Sequence, residues 1–108
     1  MRDDLFHSLD DTIHAKARLA IMSILLLDGA ATFGRLKEVL QLTDGNLGAH
    51  VRALEEAGYI EVKKDFWERR PRTTCLVTSA GRQAFGRYME TLQRLFEATR
   101  RGDPPDQA

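Results

Sequence analysis

Between Lys63 and Arg72 the chain carries five basic side chains, Lys63, Lys64, Arg69, Arg70 and Arg72, against two acids, Asp65 and Glu68. So dense a positive field suits a polyanion, and local field rather than total charge governs attraction to nucleic acid. Pro71 stiffens the run, so that Arg69, Arg70 and Arg72 stand together on a short loop. The bland alternative is a solvated basic loop. Nothing nearby offers catalysis. No Ser/His/Asp, Cys/His or paired-carboxylate spacing is present, nor a glycine-rich phosphate loop, so no enzymatic activity is expected. Cys75 stands alone in β-prone sequence, where a thiol is more often inert core than nucleophile, and His7, His14 and His50 are scattered.

The whole chain is electrically neutral, with 16 basic and 16 acidic side chains in 108 residues. That zero is a sum of unlike parts. Residues 1–15 carry net −3, residues 103–108 net −2, and the stretch 16–102 net +5. A hydrophobic fraction of 43% with 30% charged residues reads as a globular protein of one small domain. Residues 1–101 are expected to form that domain and 102–108, GDPPDQA, a disordered tail. The longest apolar stretch, Leu19 to Leu27, is broken by Ser23 and falls short of the roughly 20 residues of a membrane span. An acidic N-terminus without an apolar core is no signal peptide. A single cysteine forms no internal disulfide, and a cytoplasmic location without a membrane partner is expected.

Apolar periodicity predicts a broad helix from about Thr12 to Leu27, ended by Asp28-Gly29. Thr32 then reads as the N-cap of a short helix to Leu40, and Thr43 or Asp44 as the cap of a third helix to about Ala57. Leu47, Val51 and Leu54 fall at i, i+4 and i+7 of that helix and turn one face inward. Tyr59 to Lys64 alternates as a strand, DFWERRPR connects it to a second run, TTCLVT, and the pair reads as a hairpin. Thr78 or Ser79 caps a long final helix to about Arg100. The expected fold is mainly α with one small two-stranded hairpin.

Three segments carry a family resemblance. IHAKARLAIMSILLLDG resembles the opening helix of MarR- and ArsR-type bacterial repressors. LTDGNLGAHVRALEEAGYIEVKK is similar to their recognition helix and first wing strand. RRPRTTCLVTSAGRQAF resembles the second wing strand and the Thr-x-x-Gly-Arg start of the last helix. Together they span residues 13–96 and point to the compact MarR-like group of winged helix-turn-helix regulators, which end in a single C-terminal dimerisation helix. Metal-sensing ArsR motifs are not matched, so no metal or other cofactor is expected. Gly48 departs from the serine often found there. It reads equally as a tolerated substitution or as a device for close approach to the DNA backbone.

The resemblance implies a cytoplasmic transcriptional regulator of double-stranded DNA, a repressor that occludes polymerase. On the recognition helix, Gly45, Ala49, Arg52 and Glu56 lie opposite the inward stripe, flanked by Asn46, His50 and Ala53. Asn46 suits adenine, and Arg52 guanine or phosphate. His50 either touches DNA or packs on the short helix. Glu55 and Glu56 are expected to face away from phosphate. Thr32 and Thr43 cap helices and are candidates for an added phosphate contact. Lys63 and Lys64 suit the DNA backbone, and Arg69, Arg70 and Arg72 a narrow minor groove. Phe66 and Trp67 are expected to pack across the hairpin base.

The seam Phe85, Tyr88, Met89, Leu92, Leu95 and Phe96 is too apolar to leave bare. Part is expected to pack on the first helix. The rest, with Leu5, Phe6 and Leu9, is expected to meet a second copy, giving a homodimer on a pseudo-palindromic site. Trp67, Tyr88, Met89 and Phe96 are either plain core or the lining of an effector pocket. The alternative to DNA is a winged helix that joins proteins within an assembly.

Overall fold

The computed structural model describes residues 2–102. Met1 and residues 103–108, the greater part of the expected tail, lie outside them. The single opening helix expected from Thr12 to Leu27 is instead two. Helix α1 spans Arg2–His7, α2 Asp11–His14 and α3 Lys16–Asp28, with Ala15 extended between the last two (φ −62°, ψ 134°). Tertiary contacts impose the break. Asp10 caps α2 by accepting from the amides of Thr12 and Ile13 at 2.9 and 3.1 Å, and Ile13 is wholly buried against Ala84 and Tyr88. Holding α2 there while α3 enters the core requires a bend that local helix propensity does not foresee. Gly29, at φ 86°, ends α3 and donates to the Leu25 carbonyl at 2.8 Å.

Strand β1, Ala30–Thr32, leads into α4, Phe33–Leu40, whose cap is Thr32: its hydroxyl accepts from the Arg35 amide at 3.1 Å. Helix α5, Asp44–Glu56, is capped in the same way by Thr43, which accepts from the Asn46 amide at 3.1 Å. The core lies among Ile21, Met22 and Leu25 of α3, Leu36 of α4, Leu47, Val51 and Leu54 of α5, and Ile60 and Cys75 of the sheet.

Strands β2, Ile60–Trp67, and β3, Arg70–Val77, form the hairpin, and β1 adds to its far side, so the sheet has three antiparallel strands in the order β1-β3-β2. The two-stranded sheet expected from the sequence gains a strand because Ala30–Thr32 pairs with Thr74–Leu76. The hairpin is also longer than the alternating residues suggest. Only Glu68 and Arg69 form the turn, both at positive φ (51° and 66°). Such a two-residue turn matches the strand twist. Pro71 sits where β3 has run past the end of β1, so its missing N–H deprives no neighbouring strand.

Helix α6, Ser79–Arg101, is capped by Thr78 and is 23 residues long, about 35 Å. One stripe of it, Gly81, Ala84, Tyr88, Thr91 and Ala98, is buried. The radius of gyration, 16.3 Å, exceeds the roughly 13 Å of a compact chain of this length, and the longest dimension is 59 Å.

Candidate nucleic-acid interface

Burial of Leu47, Val51 and Leu54 fixes the rotation of α5 and leaves Gly45, Asn46, Ala49, Arg52 and Glu56 exposed on its outer face, with His50 half-buried beside them. Lys37 of α4 and Asp44 of α5 form an ion pair at 2.9 Å, tying the two helices near the N-terminus of the second. A Cβ on Gly48 would meet nothing within 4 Å, so packing places no demand for glycine there.

Alternation divides the hairpin into two faces. The face bearing Ile60 and Val62 continues through Lys64 opposite Thr73 and Phe66 opposite Pro71. The other bears Lys63 opposite Thr74, Asp65 opposite Arg72 and Trp67 opposite Arg70. On that second face Arg72 does not stand free. Its Nε and a terminal nitrogen donate to the two oxygens of Asp65 at 2.9 and 2.8 Å, and its guanidinium lies 5.3 Å from the centre of the Trp67 ring. These bonds to Arg72 hold the Asp65 carboxyl below the usual range. Among the described residues, no ion pair engages Arg69, Arg70, Lys63 or Lys64.

Helix α5 and the hairpin enclose an open groove lined by Gly48, Val51, Arg52, Glu55, Val62 and Lys64, with Phe33 and Thr73. Phe33 and Thr73 also wall a second open groove, lined by Thr32, Gly34, Trp67, Glu68, Arg70, Pro71 and Arg72. The two grooves adjoin at Phe33 and Thr73 and are together called the trough, with Arg52 and Lys64 along the first and Arg70 and Arg72 along the second. Glu55, expected to face away from this side, lines the trough. It lies one helical turn beyond Val51, on the flank of α5 nearest the hairpin, and its charge helps burial push the Cys75 thiol up to about 11. Phe66 and Trp67 do not pack across the hairpin base. They stand at its tip, 73% and 60% exposed, because the strands run on past Lys64 and carry them beyond the core. Sequence reasoning passed over Arg35, which is exposed and shares a hollow with Thr32, Arg72 and Thr74. A cation in the first turn after a capping threonine was the available signal.

The seam of α6 divides. Tyr88 is 2% exposed and its hydroxyl lies 2.8 Å from Nδ1 of His14. Phe85, Leu92 and Leu9 pack around it, and Leu5 is buried too. These five are largely used within the protomer. Phe6, Met89 and Phe96 remain exposed and Leu95 half-buried. The four residues considered for an effector pocket are not brought together, since Trp67 lines the trough, Tyr88 is buried, and Met89 and Phe96 are on the surface.

The start of α6 is locked to the end of α5. The Thr78 hydroxyl accepts from the Gly81 amide at 3.0 Å and donates to the Gly58 carbonyl at 2.6 Å, while the Thr78 amide donates to the Tyr59 carbonyl at 3.0 Å. Tyr59 in turn donates its hydroxyl to Asp10 at 2.5 Å, and this bond raises its pKa. The end of α5, the N-terminal segment and the start of α6 therefore meet at Tyr59 and Thr78.

Among the described residues there is no group of histidine, cysteine and carboxylate side chains placed to hold a metal ion, and no helix long and apolar enough to cross a membrane. Residues 17–96 match the family described as winged helix DNA-binding domain. The chain is 40% identical over 78 residues to the uncharacterized protein MJ0432 of Methanocaldococcus jannaschii, covering 72% of this chain and 85% of that one. The structure of the transcriptional regulator homologue protein from Pyrococcus horikoshii OT3 superposes with a TM-score of 0.76 at 33% identity, over 82% of this chain and 87% of that one. HlyU from Vibrio cholerae shares the fold, with a TM-score of 0.58 at 21% identity over 88% and 91% of the two chains. The chain belongs to the winged helix DNA-binding domain family and has the fold of that family.

Proposed function

We propose that the protein is a transcriptional regulator that binds double-stranded DNA as a homodimer, with one α5 of each copy in successive major grooves of a pseudo-palindromic operator, and represses by occluding polymerase. The observation that carries this reading is the trough, whose two adjoining grooves carry Arg52 and Lys64 beside the helix and Arg70 and Arg72 on the wing. A major groove admits α5, and the wing then falls beside the adjoining backbone and minor groove. Asn46, Ala49, His50 and Arg52 meet base edges or phosphate, and Thr32, Thr43, Lys63 and Lys64 the backbone. Arg69 and Arg70 supply the free guanidinium groups of the wing. Arg72 contributes charge while bracing the hairpin through Asp65.

The exposed residues Phe6, Met89 and Phe96, with Leu95, support self-association along α6, since an apolar stripe of this kind is costly to leave in water. A dimer of this kind fits action in the cytoplasm on DNA. The test is selection of bound duplexes from a random pool at low and high salt. Enrichment of a two-fold motif with half-sites about 10 base pairs apart supports the reading. No enrichment at either salt overturns it and favours a module that joins proteins.

A further inference from the structure

Phe66 is 73% exposed and lies on the hairpin face that turns toward α5, two positions beyond Lys64 and directly across from Pro71. Trp67, its neighbour, is on the opposite face with the guanidinium of Arg72 over its ring. One face of the wing tip is thus braced by Asp65, Arg72 and Trp67, and the other ends in a bare apolar pair. Resting on the DNA-binding reading above, we infer that Phe66, backed by Pro71, is an apolar wedge that enters the minor groove beside the recognition helix and bends the duplex at a deformable step.

Charge chooses the occupant. Lys64 shares the face of Phe66 two positions back along β2, Arg69 stands in the turn beyond it, and neither has an ion-pair partner among the described residues. An apolar tip with a cation on either side along the chain fits a polyanion that also offers an apolar surface, and the stacked bases between two phosphate backbones are such a surface. Apolar side chains inserted between base steps unstack them and kink the duplex by 20–90° or so. Pyrimidine–purine steps yield most easily, so the wedge adds sequence preference at a position where no side chain reads a base edge. Support for the wedge comes from the backbone: a two-residue turn and the bidentate Asp65–Arg72 pair keep the tip from folding away under load.

The experiment uses duplexes enriched from a random pool, with 2-aminopurine replacing each adenine in turn and a donor–acceptor pair on the duplex ends. The wild-type protein is expected to raise 2-aminopurine emission at one step and to shorten the end-to-end distance. Phe66→Ala is expected to abolish both changes and to weaken binding roughly tenfold, the scale of one buried aromatic side chain. Trp67→Ala is expected to keep the emission change. Phe66 is largely exposed and belongs to neither core cluster, so circular dichroism of F66A should match the wild type.

Tight binding by the wild-type protein with no bend and no unstacked step overturns the wedge and leaves the DNA-binding reading standing. Loss of the signal in Trp67→Ala but not in Phe66→Ala overturns the assignment of the residue. A change in oligomeric mass of F66A with unaltered DNA affinity overturns it in favour of a contact between copies. Failure of the wild-type protein to bind any duplex removes both readings.

Discussion

Gly81 carries the sharpest structural demand in the chain, and replacing it with alanine tests how the final helix is docked. A Cβ there would collide with the Tyr59 carbonyl, whose carbon lies 2.9 Å and whose Cα lies 3.0 Å from the added atom. Both neighbours are backbone, so no side-chain rotation relieves the contact. Either α6 or the α5–β2 connection must move, and the Thr78 amide then loses its 3.0 Å bond to the same carbonyl. Overpacking costs about 1–3 kcal/mol and the lost bond about 1 kcal/mol, while alanine returns up to about 1 kcal/mol of helix propensity. The net expectation for Gly81→Ala is a loss of about 2 kcal/mol.

The control is on the same helix. A Cβ at Gly86 meets nothing within 4 Å, so Gly86→Ala is expected to gain about 0.5–1 kcal/mol. Urea unfolding at equal protomer concentration reads both, because the midpoint of any chain that self-associates depends on concentration. With a slope near 2 kcal/mol/M, Gly81→Ala moves the midpoint down by about 1 M. A midpoint unchanged in G81A, or a G86A variant that falls just as far, would refute the claim that close approach of backbone to backbone sets the docking of α6.

Three further outcomes follow from side chains already described. Asp65 has its pKa below the ordinary 3.8 through its bonds to Arg72, so the pair supports the wing above that value and is lost as pH falls through the lowered one. Trp67 emission should report an acid transition in the wild type that is missing in Asp65→Asn. Cys75 is wholly buried and its thiol is pushed up to about 11. At pH 8 a disulfide reagent should therefore modify it at least about a hundredfold more slowly in the folded chain than after denaturation. Gly48→Ala should stabilise the fold by about 0.5–1 kcal/mol. A DNA affinity unchanged in that variant shows glycine to be merely tolerated there, whereas a weakened one shows close approach to the backbone.

Long periodic elements were readable because their signals repeat. The stripe Leu47, Val51 and Leu54 set the rotation of α5, and the capping threonines Thr32, Thr43 and Thr78 marked three helix starts that the structure reproduces. The misses share a physical cause in contacts remote along the chain. Ala15 breaks the first helix because Ile13 and Asp10 are held by residues of α6 and by Tyr59. Strand β1 has three residues, too few to show a period, and exists because Thr74–Leu76 offers an edge. The length of the wing was hidden because Glu68-Arg69 lacks the glycine or asparagine that marks a tight turn. With the turn misplaced, Phe66 and Trp67 were assigned to the hairpin base instead of its tip. The pairing of Arg72 with Asp65 followed from the same register.

If the protein is the regulator proposed, the trough and the free wing cations meet duplex DNA. The most direct test of that contact is the affinity for an enriched duplex as a function of salt, for the wild type and for a variant with Arg69→Ala and Arg70→Ala. Arg72 is left intact so that the hairpin keeps its brace. A steep fall in log affinity with log salt is expected, with a slope shallower by about 0.9 for each phosphate contact the variant has lost. A variant with the wild-type slope and affinity, or a wild-type protein that binds no duplex at low salt, contradicts it.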